Sequence, residues 1–401
     1  MNEGALEDFA TNAFGGMVGI KTTPFKGFTA GLSGSFAFKT FYTDLNVPDT
    51  LTGMASKYEQ ELYNIGDRRN YKDLYRLETF YLQYQHATGN ISLGKLEITD
   101  TPLLNRSDGR MNPFAFQGLW ISQRLGDQRF NLAWIDHIAP RSTYKWYSFN
   151  DGIGLTNNGF QPDGTEADYR YTAQTKGIGI LDYHSVYKRL AWRFNYWYLH
   201  NLLHIGMIDI SYSGKHWTTG LQYSLQTADR YQEQVDYHSR YIQPDEHGQV
   251  LSYVIAYQPE HWKFSFAYTH AFDSGRYLFP RELGRDQFFT SISRSRLEGF
   301  GNMDVITLTG THDLYVKGLD LTIQYTRLFG PETNNYTFNK YNLDAYYQIN
   351  TRIHYEVEGI LKGLKFDLLY VYKENIHDRN AAVIFNKSNF HQINLITNFV
   401  F

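Results

Sequence analysis

Two stretches of the chain gather guanidinium groups beside carboxylates. "NRSDGRMNP" carries Arg106, Asp108 and Arg110, and "PRELGRDQFFTSISRSRLEG" carries Arg281, Arg285, Asp286, Arg294 and Arg296. A guanidinium stays charged at any ordinary pH, and its planar fork grips a carboxylate or phosphate through two parallel hydrogen bonds. A row of such forks can pass a small anion from one to the next. The same residues would equally suit a solvated basic loop, paired with neighbouring Asp and Glu or with phosphates at a lipid surface. Two more arginines sit inside alternating segments. Arg193 opposes Trp192 and Phe194, and Arg352 shares a polar face with Asp344, Gln348, Asn350, His354 and Glu356.

Other chemistry has little to stand on. No HExxH, GxSxG, phosphate-binding loop or dinucleotide fingerprint occurs. Absence of cysteine removes disulfide and thiol chemistry. The 14 histidines are scattered. "HNLLH" (His200–His204) has a one-turn helical spacing but falls in a connection between strands. "NDGIGLTNNG" (Asn150–Gly159) offers at most a weak surface ion site. No metal or cofactor is expected, and no bond-making activity.

The elements that must position the arginines are strands. The chain has 401 residues, 38 basic and 41 acidic, so the net charge of −3 argues against bulk attraction to nucleic acid. Tyr (33), Phe (28) and Trp (7) reach 17 % of the chain, yet the mean hydropathy is only −0.47. That combination fits strands with one face in lipid and one in water, or a soluble all-β protein. No segment is long and apolar enough for a transmembrane helix. "MNEGALEDFA" has neither the basic nor the apolar region of a signal peptide.

Alternation is clear along most of the chain. In "HWKFSFAYTH", Trp262, Phe264, Phe266 and Tyr268 oppose Lys263, Ser265, Ala267 and Thr269. In "LDLTIQY", Leu319, Leu321, Ile323 and Tyr325 oppose Asp320, Thr322 and Gln324. Eight tight connections, including "TPFKG", "ATGN", "SGKH" and "VKG", take turns with long polar ones at about 43–74, 99–113, 139–172, 229–248, 274–301, 331–341 and 375–389. The 139–172 connection, with Tyr144, Trp146, Tyr147 and Asp151, fits a constriction loop in the lumen or an extracellular flap.

Strands are expected at 11–22, 27–42, 75–87, 90–98, 114–124, 128–138, 173–186, 190–199, 205–213, 216–228, 249–258, 262–273, 302–316, 319–330, 342–356, 364–374 and 390–401. Tight turns on one rim and long loops on the other describe a transmembrane antiparallel up-and-down β-barrel formed by one domain, residues 1–401. The last strand, "FHQINLITNFVF", ends on the aromatic typical of outer-membrane barrels. The first and last strands both descend, so the expected number is odd. Single-chain bacterial barrels have even numbers. The expectation is therefore 17 of 18 strands, with the first stave upstream of residue 11 missing from this chain. A 16-strand barrel, with one strand over-assigned, is the alternative.

Several stretches resemble the OprD-like outer-membrane porins. They are "GALEDFATNAFGGMVGIKTTPFKGFTAGLSGSF", "LGKLEITDTPLLNRSDGRMNPFAFQGLW", "FPRELGRDQFFTSISRSRLEGFGNMD" and "LKGLKFDLLYVY". The resemblance implies an 18-stranded channel in the bacterial outer membrane that takes up small, often carboxylate-bearing nutrients. It implies outer-membrane lipid and lipopolysaccharide as surroundings, with a monomer or weak homo-trimer as the assembly. Not every basic residue of that family's pore ladder has a counterpart here, so the solute is not carried over. A plugged or adhesive barrel, and an outer-membrane enzyme with its site on the extracellular rim, are the other readings.

Overall fold

The computed structural model describes residues 8–45, 47, 63–64, 73–98, 101–104, 111–377 and 389–401. Eighteen strands make one antiparallel sheet. They are β1 (Thr11–Lys21), β2 (Phe28–Tyr42), β3 (Leu74–His86), β4 (Gly89–Leu96), β5 (Ala115–Leu125), β6 (Gln128–Ala139), β7 (Tyr147–Ser148), β8 (Ile178–Tyr187) and β9 (Leu190–Leu199) in the first half. The second half holds β10 (Leu203–Ser213), β11 (Trp217–Ala228), β12 (Gln249–Tyr257), β13 (Trp262–Ala271), β14 (Met303–Asp313), β15 (Leu319–Phe329), β16 (Tyr346–Glu356), β17 (Leu364–Asn375) and β18 (Phe390–Phe399). Each long strand pairs with the next in sequence. The two-residue β7 merely extends the edge of β6 above its ladder with β8. The other seventeen strands correspond one for one to the expected staves. β1 and β18 run in the same sense, and among the described residues no ladder joins them.

Period-2 alternation decides which face looks where. On β13, Trp262, Phe264 and Phe266 are exposed while Ala267, Thr269 and Ala271 are buried. On β17 and β18, Phe366, Leu368, Ile393, Leu395 and Phe399 are exposed. These outward side chains form the apolar band that a barrel presents to hydrocarbon. The polar faces turn inward, and on many staves they are buried: Asn195, Ser224, Ser252, Thr269, Thr326 and Gln348 have essentially no exposure. Something fills the barrel beside them.

The tight turns lie where they were expected. At "TPFKG" both Lys26 (φ 49°) and Gly27 (φ 86°) are left-handed, which matches the twist of a two-residue hairpin. The same Lys-Gly pair closes β14 to β15, with Gly318 at φ 79°. Two boundaries differ from expectation by more than three residues. β8 begins at Ile178 rather than 173, because Gln174 (φ 45°) and Gly177 (φ 145°) break the extended run. β16 begins at Tyr346 rather than 342, because Asn342 is left-handed (φ 50°) and Asn339 caps Leu343 in both directions.

Two apolar clusters occupy the interior. One joins Ile135, Ile138, Phe149, Ile153, Trp197 and Phe279, among others. The second joins Val250, Tyr277, Phe288, Leu297, Phe300 and Leu328. Both contain residues from the long loops, so the loops fold inward and pack on the wall.

Candidate functional site in the lumen

The loop between β13 and β14 folds inward and runs along the inner wall from β12 to β18. Its middle, "FFTSISRS", carries four hydroxyls, so it can lie against the polar inner wall with its polar atoms satisfied. Phe289 N donates to Ser252 Oγ on β12 (3.1 Å). Thr290 Oγ1 pairs with Thr269 Oγ1 on β13 (2.7 Å), and its carbonyl accepts from Thr307 Oγ1 on β14 (3.0 Å). Gln348 Nε2 and Asn350 Nδ2 on β16 both donate to the Ser293 carbonyl (2.7 and 3.0 Å). Arg294, itself left-handed at φ 68°, donates from Nε to Gln392 Oε1 on β18 (2.9 Å) and from Nη2 to Asn394 Oδ1 (3.3 Å). The segment is thereby tied to five staves.

It carries the arginine set read from sequence. Arg281 Nε donates to Glu298 Oε2 (2.7 Å), and its guanidinium lies 3.4 Å from the Tyr341 ring centroid. Arg285 Nη2 donates to the carbonyls of Ile292 (2.9 Å) and Ser295 (3.2 Å). Arg296 Nη2 reaches the Gly284 carbonyl (3.3 Å) and remains partly exposed. Its dense surroundings, and then the charges of Arg141, Arg281 and Arg285, push its pKa down to about 10. The three neighbouring guanidiniums thus add to the effect of burial, and Glu298 opposes it. Asp286 is fully buried and holds the loop together, accepting from Ser291 Oγ (2.8 Å) and from the amides of Leu297 and Glu298 (both 3.3 Å). It therefore shapes the loop from within.

A second loop, from β6 to β8, meets the first. Its one-turn helix, Phe149–Gly152, places Phe149 and Ile153 in the apolar core. Thr156 then donates from N and Oγ1 to Glu282 Oε1 (2.8 and 2.6 Å). Earlier in the loop, Tyr144 packs on the exposed Tyr75 (ring centroids 6.1 Å apart), and Trp146 donates to the Leu77 carbonyl (2.9 Å). The connection thus divides: 144–146 lies against β3, and the chain from 149 on joins the buried interior.

Sequence reading missed the charges that lock these loops. Arg276 forms a buried pair with Glu246 (2.6 and 2.8 Å) and donates to the Phe160 carbonyl (2.7 Å). Burial would raise Glu246, yet Arg276 holds its carboxyl below the usual range. Lys340 is 2 % exposed, with Nζ 4.8, 4.7 and 5.7 Å from the ring centroids of Tyr169, Tyr241 and Tyr341. Burial drives its pKa down to about 8, with Arg276 and Arg281 adding to the fall and Glu298 opposing it. Burial likewise lifts all three phenols well above 10.0. Arg76 ties Glu78 (3.0 and 2.8 Å) to the carbonyls of Pro113, Ala139, Pro140 and Thr143. Only Arg76–Glu78 left a signal, since an Arg-x-Glu on alternating strand positions shares one face.

The wall arginines face the lumen. Arg193 binds Asp182 through Nε (2.7 Å) and Nη2 (3.1 Å), and Asn131 Nδ2 also donates to that carboxylate (2.6 Å). Arg352 pairs with Asp367 on β17, which His354 also contacts (2.9 Å), one inward position beyond Asn350, which bonds the inserted loop. A recess of about 310 Å³ opens near the tight-turn end, lined by Tyr81, Trp120, Lys21, Arg129 and Glu97 among others. Arg106, Asp108 and Arg110 lie outside the described residues. Among the described residues no cluster of His, Asp and Glu could hold a metal ion. In "HNLLH", His204 stacks on Tyr198 (4.8 Å) and bonds Tyr196 Oη (2.7 Å).

No protein-family model and no curated protein matches the chain by sequence. Solved structures match it by fold. Acinetobacter baumannii OccAB4 superposes with a TM-score of 0.74 at 14 % identity, covering 100 % of this chain and 94 % of that one. Pseudomonas aeruginosa OccK9 (OpdG) gives 0.73 at 15 %, covering 96 % and 90 %. The Pseudomonas aeruginosa outer membrane protein OpdK gives 0.70 at 14 %, covering 98 % and 95 %, and another structure of OpdK is of the protein with vanillate.

Proposed function

We propose that this chain, which has the fold of the OprD-family outer-membrane channels, is itself a diffusion channel of the bacterial outer membrane for small hydrophilic solutes, favouring anionic and zwitterionic ones such as carboxylates and amino acids. The observation that carries this reading is the 281–296 segment. It folds inward along the wall and brings Arg296 into electrostatic range of Arg141, Arg281 and Arg285. A constriction lined by one sign of charge and walled by low-dielectric protein concentrates counter-ions and excludes co-ions. The wall pairs Arg193–Asp182 and Arg352–Asp367 temper that field, which suits solutes bearing both charges. Vanillate, in the OpdK structure, is a carboxylate. The surroundings are lipid and lipopolysaccharide, and the assembly a monomer or weak trimer.

The packed interior favours one competing reading, a plugged barrel. Planar-bilayer recording separates the two. Discrete steps, a reversal potential on the anion side in a KCl gradient, and concentration-dependent block by a small carboxylate are the expected result. Cation selectivity would overturn the proposal. Folded protein that gives no steps would favour the plug.

A further inference from the structure

Arg327 lies on the outward face of β15, in line with Ile323, Tyr325 and Phe329, and is partly exposed. Five other guanidiniums pair with carboxylates, Arg76–Glu78, Arg193–Asp182, Arg276–Glu246, Arg281–Glu298 and Arg352–Asp367, and Arg285, Arg294 and Arg296 bond carbonyls or side-chain amides. Arg327 has no such partner among the described residues. Its guanidinium rests 4.7 Å from the Phe329 ring centroid, and its Nε is buried without a hydrogen-bond partner.

The flanking carboxylates on this outer face are already engaged. Asp304 on β14 accepts from Tyr268 (2.5 Å) and meets His270 (2.8 Å). Glu374 on β17 accepts from Tyr347 and from Tyr372 (2.5 Å). Register sets these groups at one height. His270 is opposite Asp304, Arg327 opposite Tyr347, Tyr347 opposite Glu374, and Tyr372 opposite His391. The belt lies at the long-loop ends of the staves, above the exposed Leu308, Ile323 and Ile353. Aromatics with polar tips mark the headgroup level of a membrane, and a cation facing lipid is tolerated there rather than at the midplane. The Nη groups of Arg327 are not among the buried atoms and make no hydrogen bond among the described residues, and a guanidinium with such donors at that level matches a phosphate ester.

We propose that the outer wall at the extracellular ends of β13 to β18 holds a site for a lipid-borne phosphate of the outer leaflet, with Arg327 as its chief ligand. This refines the lipid partner of the proposed channel and is independent of what the lumen passes. The ligand is the phosphorylated glycolipid facing this rim.

Native mass spectrometry of the folded barrel in detergent tests it, using bis-phosphorylated lipid A, its dephosphorylated form and inorganic phosphate as probes. Wild type should retain the phosphorylated lipid about ten-fold more tightly than the dephosphorylated one, and excess inorganic phosphate should not displace it. Arg327→Gln should remove that preference, and Arg327→Lys should keep part of it as a point charge. Heat-modifiable migration and unchanged single-channel steps would show that the variants are folded, and keep failure of this site distinct from failure of the channel reading. Equal retention of the two lipids by wild type, or an undiminished preference in Arg327→Gln, would overturn the assignment. The lipid comparison needs no variant.

Discussion

Lys340 is the sharpest test of how the lumen loops are held. Its ammonium is buried among Tyr169, Tyr241 and Tyr341, with Glu298, Glu246, Arg276 and Arg281 as the charged groups acting on it. Docking lowers its pKa from 10.5 to about 8. Below pH 8 the docked and released loops both hold the proton, so the burial penalty is carried in full. Between about 8 and 10.5 the released loop keeps the proton and the docked loop does not, so docking strengthens as pH rises. Going from pH 7 to 9.5, that linkage amounts to roughly 30-fold in the docking equilibrium. The three phenols act the other way. Held protonated when docked, each starts to ionise when released, and together they reduce the gain to roughly ten-fold. Amide exchange reads this directly at Phe160, whose N–H bonds the Lys340 carbonyl (2.8 Å), and at Lys340, whose N–H bonds that of Gly299 (2.9 Å). After correction for intrinsic exchange, protection should rise about ten-fold in wild type. In Lys340→Met only the weak opposing slope of the phenols should remain. A flat wild-type profile, or the wild-type slope in Lys340→Met, would refute the reasoning.

Two further outcomes follow from the charge pairs. Arg281→Leu leaves Glu298 buried without its nearest partner, a loss of about 3–5 kcal/mol at such sites, partly offset by Lys340 and Arg296. It should raise open-channel current noise and expose the loop to protease at unchanged barrel mobility on a gel. Asp182→Asn keeps one of the two acceptors facing Arg193 and removes the countercharge, so the reversal potential in a KCl gradient should move further toward anions. A shift toward cations would mean that Arg193 faces no permeating ion.

The wall was legible because period-2 alternation survives any tertiary arrangement: Phe264, Phe266 and Tyr268 can only share a face. Its exceptions sit where a left-handed residue interrupts the run, as at Gln174 and Asn342, which alternation does not register. Loop direction was not legible from patterning. Whether "PRELGRDQFFTSISRSRLEG" turns in or out depends on partners such as Ser252, Gln348 and Gln392, which lie on separate staves. Its hydroxyl-rich middle was the available clue. The Lys340 cage left none, since two of its three rings, Tyr169 and Tyr241, come from distant loops and each reads alone as an ordinary tyrosine. Asp286 looked like a lumen charge because a sequence gives no sign of whether a carboxylate faces water or its own backbone.

The inward loop also has a mechanical meaning. A wide barrel resists bending along its strands but yields easily to flattening, because adjacent staves hinge on their hydrogen bonds. Thr290 grips β13 and β14, Ser293 is held by β16, and Arg294 grips β18. The segment is therefore a strap along one arc of the wall, fastened at several points by hydrogen bonds. Flattening of that arc would have to stretch or break it. The curvature of the wall beside the arginines is then set by the covalent length of a few residues of chain.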